Sequence, residues 1–75
     1  MKQLMWEDKQ GEMTAQCFFD PKTSLYTVEV SLKNKTKKKR FPCSFTPTFG
    51  MDVIDQRQSL DIAEELAVEH EKEMI

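Results

Sequence analysis

Polar and apolar residues alternate through most of the first 46 positions, and the period becomes helical after Gly50. The pattern is clearest over 25–33, where Tyr26, Val28, Val30 and Leu32 fall on one side of an extended chain and Thr27, Glu29 and Ser31 on the other. A spacing of two is what a strand with one buried face requires. Residues 13–20 repeat it, with Ala15, Cys17 and Phe19 set against Thr14, Gln16 and Phe18. Between these strands, Asp20-Pro21-Lys22-Thr23-Ser24 supplies turn chemistry: a side-chain acceptor for the backbone ahead and a preset φ. The alternation predicts a further strand over 39–46, with Phe41, Cys43 and Phe45 on the core side. Pro42 and Pro47 lack an amide donor and assign that strand to a sheet edge. A strand over 2–7 places Leu4 and Trp6 together, and 8–11 then closes a hairpin onto the next strand.

Beyond Gly50, at about 100° per residue, Ile62, Leu66, His70, Ala63, Met74, Ala67, Leu60 and Val53 fall within an arc of roughly 180°. Asp61, Glu65, Glu69 and Lys72 occupy the opposite side. A helix over 53–73 follows, with Asp52 and Asp55 as candidate N-caps, Asp55 and Gln58 in a weakened capping-box spacing, and a break possible near Ser59. A sheet apolar on one face and a helix with one apolar stripe cover each other. The predicted fold is therefore α+β: a three- to four-stranded antiparallel meander sheet with one C-terminal helix packed across one face, in a single domain spanning 1–75.

Composition tightens this picture. The 39% hydrophobic and 32% charged residues, with only 2 Gly and 3 Pro, belong to a chain that folds. At 75 residues the chain holds one core and buries only roughly 60% of its unfolded surface, so added burial from a second copy is expected. Met5 and Phe18, with Met1, are the apolar residues left outside the core face, and they are the expected contacts of a homodimer. Glu7 and Asp8 interrupt the N-terminal stretch before any long apolar run, and no segment approaches the roughly 20 apolar residues of a membrane span. A cytoplasmic location without membrane attachment is the resulting expectation.

Candidate chemistry is sparse. Cys17 and Cys43 read as two small hydrophobes, because with only His70 to help they cannot complete a four-ligand zinc site. Neither metal nor cofactor is expected. His70 has no partnered nucleophile to serve, and capping accounts for Asp52 and Asp55, so no catalytic residue is expected either.

Charge is more informative. Residues 33–40 hold six cations, Lys33, Lys35, Lys37, Lys38, Lys39 and Arg40, read as a hairpin tip between two strands. Residues 1–50 carry nine Lys and Arg against five Asp and Glu, whereas 51–75 carry two against eight, so a chain of net charge -2 is strongly polarised. The helix places Glu65, Glu69 and Glu73 four apart, where they repel one another, and the basic run is the nearest candidate to offset that repulsion. The leading expectation is a small noncatalytic interaction module of unknown protein partner, homodimeric. The alternative is a nucleic-acid-associated protein with the basic residues on phosphates, and an acidic protein is a further partner for the same residues.

Overall fold

The computed structural model describes residues 2–47 and 50–73. Along them run four strands, β1 (Gln3–Gln10), β2 (Met13–Asp20), β3 (Leu25–Leu32) and β4 (Lys35–Pro42), and one helix, α1 (Val53–Glu73). The sheet order is β1-β2-β3-β4 with every neighbour antiparallel, a meander whose edges are β1 and β4. α1 lies across one face, nearest β3 and then β4 and β2.

Each reversal has a local cause. Gly11, at φ 61°, adopts a left-handed conformation that glycine takes without strain and, with Glu12 beside it, turns β1 into β2. Asp20 accepts the Lys22 amide through Oδ1 at 2.9 Å and the Ser24 amide through its carbonyl at 2.9 Å, and Ser24 sits at φ 58°. Lys33, at φ 57°, and Asn34 form the tight turn into β4.

That last turn corrects the predicted hairpin tip. The lysine run is not a loop: residues 35–40 pair with β3 from Leu32↔Lys35 to Thr27↔Arg40. Side-chain polarity hid the strand, because β4 is an edge whose residues are mostly solvated and need no apolar alternation. The strand also ends at Pro42, earlier than the predicted 46, and Phe45 stands 61% exposed instead of in the core. β1 likewise runs three residues beyond its predicted end at 7, since the reversal waits for Gly11.

The core comprises Cys17, Phe19, Tyr26, Val28, Val30 and Phe41 from the sheet with Ile62 and Leu66 from the helix. Tyr26 is flanked by Phe19 at 5.1 Å and Phe41 at 5.2 Å between ring centroids. Such aromatic pairs add roughly 0.5–1.5 kcal/mol each beyond area burial.

α1 begins on Asp52, whose Oδ2 accepts the Ile54 amide at 3.1 Å while its carbonyl accepts the Gln56 amide at 2.8 Å. Asp55 is therefore not the cap. It is fully buried and turns outward from the helix to accept the Ser44 amide with both oxygens, at 3.1 and 3.0 Å, tying down the chain just after β4. The break considered at Ser59 does not occur: its hydroxyl donates to the Gln56 carbonyl at 2.6 Å within an unbroken helix.

Candidate functional site

Alternation along β4 divides the six cations between the two faces of the sheet. Lys35, Lys37 and Lys39 share the helix side with Phe41, while Lys38 and Arg40 share the open side, opposite Glu29 and Thr27 of β3; Lys33 lies in the turn. On the helix side the lysines meet the acidic stripe of α1. Lys37 Nζ reaches Glu73 Oε1 at 2.8 Å, and Lys39 Nζ lies 3.6 Å from Glu65 Oε2. The Lys37 hydrogen bond holds the Glu73 carboxyl below the usual range, and the same bond raises the Lys37 ammonium. The repulsion predicted among the helix acids is thus offset by this chain's own basic strand. A smaller basic depression at the β4 edge is lined by Lys2, Lys38, Lys39 and Arg40 around Thr27.

Met5 and Phe18 part company. Phe18 is half-buried on the open face, aligned with exposed Leu4 across β1 and β2. Met5 does not belong to that face: the ladder shifts register between Leu4 and Trp6, and Met5 packs against the core. The bulge inserts one residue and so moves Met5 off the alternating pattern. Met1, grouped with them from the sequence, lies outside the described residues, as does Met74 of the predicted helix stripe.

The buried polar groups act as struts. His70 is only 2% exposed, and its Nε2–H donates to the Val30 carbonyl at 2.7 Å, pinning the end of α1 to the middle of β3. The Trp6 indole donates from Nε1 to Ser59 Oγ at 2.9 Å and joins β1 to the first half of α1. Cys17 is buried beside Met51, with Sγ 4.0 Å from Sδ, and burial pushes its thiol up to about 12. The Tyr26 hydroxyl is buried without a hydrogen-bond partner among the described residues, and burial, reinforced by Asp55, raises it to about 12. Cys17 and Cys43 are both free thiols, the second only partly buried. A thiol raised that far is a poor nucleophile near neutral pH. No group of three or more His, Cys, Asp and Glu among the described residues is placed to hold a metal.

One cleft lies where sequence periodicity expected packing. Ile62, Asp55, Leu66, Ser59 and His70 are the buried residues of α1, and at about 100° per residue they span an arc of only about 80°. Leu60 and Val53, placed on the packing stripe by periodicity, are 50% and 77% exposed. The neighbouring arc, with Leu60, Ala63, Ala67 and Val68, forms one wall of a cleft of about 450 Å³ whose floor is Trp6, Met13 and Ala15. Asp8, Glu64 and Glu71 line the same cleft. The signal was present in the chain: an apolar arc of 180° is wider than the roughly 100° stripe a single packing contact uses. Two polar residues at buried positions, Asp55 and Ser59, concealed which half was the packed one.

No helix among the described residues is long and apolar enough to cross a membrane. Comparison with protein families, with curated proteins and with solved structures finds no match to this chain.

Proposed function

We propose that this chain is a noncatalytic interaction module that receives a polypeptide partner in the cleft between α1 and the β1–β2 half of the sheet. One observation carries the reading: the helix covers only part of the apolar face, so Leu60 and Val68 stand 50% and 43% exposed above Trp6, Met13 and Ala15. Apolar walls with a few charged groups at the rim are the usual makeup of a protein-binding surface. Phosphate binding by β4 ranks below it, because the basic residues diverge onto two faces and Lys37 and Lys39 are engaged by Glu73 and Glu65. Self-association is the second reading, favoured by exposed Leu4 beside Phe18 on the open face.

A photoreactive amino acid placed at Val68, and in a control chain at Thr36, tests the proposal in the protein's native cells. A covalent adduct of defined mass is expected from position 68, absent from position 36 and lost when Leu60 is also changed to Asp. Equal adducts from both positions, or none from 68, overturn the cleft reading. Light scattering of the purified chain addresses the second: an adduct of twice the chain mass, with a dimer in solution that Leu4→Ser dissociates, places the partner as a second copy.

A further inference from the structure

The geometry points to the class of partner: an amphipathic α-helix with Lys or Arg along its flank, laid on β1 and β2 beside α1. This rests on the cleft reading above and specifies its occupant.

Size comes first. Strands lie about 4.8 Å apart and a helix with its side chains is about 10 Å across, so one helix covers about two strands of a four-stranded sheet. α1 is nearest β3, with lesser approach to β4 and β2, and it reaches β1 through side chains such as Trp6 to Ser59. The uncovered half has the width of one more helix. Ala15 on the floor and Ala63 and Ala67 on the wall permit close approach, since interaxial distances of 8–10 Å depend on small residues at the contact. An extended segment is a poorer fit. It would extend the sheet edgewise from β1 instead of lying over it, and the register shift between Leu4 and Trp6 interrupts the edge it would need.

Charge then selects among helices. The charged side chains lining the cleft are Asp8, Glu64 and Glu71, all acidic. Asp8 accepts only the Gln10 side-chain amide, at 3.3 Å, and neither Glu64 nor Glu71 has a cation within ion-pair distance among the described residues. Glu64 and Glu71 are seven residues apart on α1, which puts them about 10.5 Å apart along its axis. Basic residues two turns apart on the incoming helix match that interval. A second copy of α1 does not, because it carries seven carboxylates against Arg57 and Lys72 and would set acid against acid.

Three 18-residue synthetic peptides test this on the intact chain. The first has a Leu/Ala stripe at helical spacing flanked by Lys; the second has the same stripe flanked by Glu; the third has the composition of the first with its order scrambled to destroy the stripe. Binding is followed by two-dimensional NMR of the ¹⁵N-labelled protein and by calorimetry. The first peptide is expected to shift the Trp6 indole and the Ala63, Ala67 and Val68 amides, and to bind at least tenfold more tightly than the other two. Glu64→Gln with Glu71→Gln, both at exposed positions, weakens it several-fold, whereas Glu69→Gln, on the far side of α1, does not. Equal binding of the scrambled peptide overturns the inference, since charge alone then suffices. Equal binding of the Glu-flanked peptide at the same residues overturns the basic partner while leaving a polypeptide-binding cleft. If no peptide shifts those residues but position 68 still cross-links, the inference fails and the proposed function stands; if both fail, both fall.

Discussion

Leu66 and Leu60 lie on the same helix six residues apart, and the structure assigns them opposite fates. Leu66 is 5% exposed within the core, whereas Leu60 is 50% exposed on the cleft wall. Truncating a fully buried leucine to alanine removes its transfer free energy and leaves a cavity, about 3 kcal/mol together. For Leu60 about half of a transfer free energy of roughly 2 kcal/mol is at stake, with no enclosed void, and alanine returns a few tenths through helix propensity. Leu66→Ala should therefore cost about 3 kcal/mol and Leu60→Ala about 0.5–1. Urea unfolding followed by Trp6 fluorescence resolves the difference, because a small domain with a slope of about 1 kcal/mol per molar shifts its midpoint by about 3 M in one case and under 1 M in the other. A midpoint shift that is equal in the two variants, or larger for Leu60, would mean that α1 is rotated from the described orientation. The cleft and the function built on it would then go too.

Other residues give independent checks by the same measurement. His70→Ala should cost about 2–3 kcal/mol from a cavity plus a lost hydrogen bond, and His70→Leu, which keeps most of the volume, about 1 kcal/mol; equal losses would show that packing is not the larger part. Lys33→Gly should stabilise by about 0.5–1 kcal/mol, because a lysine at φ 57° bears a left-handed strain that glycine does not. Stability should hold up to about pH 9 and fall above it. The folded chain keeps the Cys17 and Tyr26 protons to about 12, while the unfolded chain releases them from 9.0 and 10.0, so alkali favours unfolding. Urea midpoints at pH 7, 9 and 10.5 measure this, and Cys17→Ala should flatten the decline; an unchanged midpoint at pH 10.5 would refute it.

The elements whose face is buried were legible from the chain alone. β2 and β3 declare themselves because Cys17, Phe19, Tyr26, Val28 and Val30 must leave water, and burial on one face imposes a period of two. The same logic places Ile62, Leu66 and His70 on the buried side of α1. β4 was misplaced by four residues for the complementary reason. Its backbone bonds to β3 hold it in the sheet, and neither face of its lysines is buried deeply enough to write a pattern. Met5 was misassigned because a bulge is a backbone event with no residue signature in this stretch, and Asp55 because its partner, the Ser44 amide, is brought to it only by the fold. The cleft was hidden in the same way, as an apolar arc too wide for one contact whose two halves only tertiary structure separates.

What decides which half of the sheet α1 covers is polar, although the driving force for covering it is not. An apolar stripe would gain burial over either pair of strands, and β1–β2 offers Trp6, Met13 and Ala15 as readily as β3–β4 offers Phe41 and a row of lysines. The lysines bias the choice, since Lys37 and Lys39 extend from β4 toward Glu73 and Glu65 on one flank of the helix. Each exposed pair contributes little by itself, yet both act on the same side and nothing on β1 opposes them, where Asp8 would repel that flank. His70 on Val30 and Asp55 on Ser44 then fix the rotation, because a shift toward β1 would strand both polar groups without partners. The polarised charge of this chain thus draws the helix to the basic edge. The open cleft with its acidic rim is the consequence on the other side.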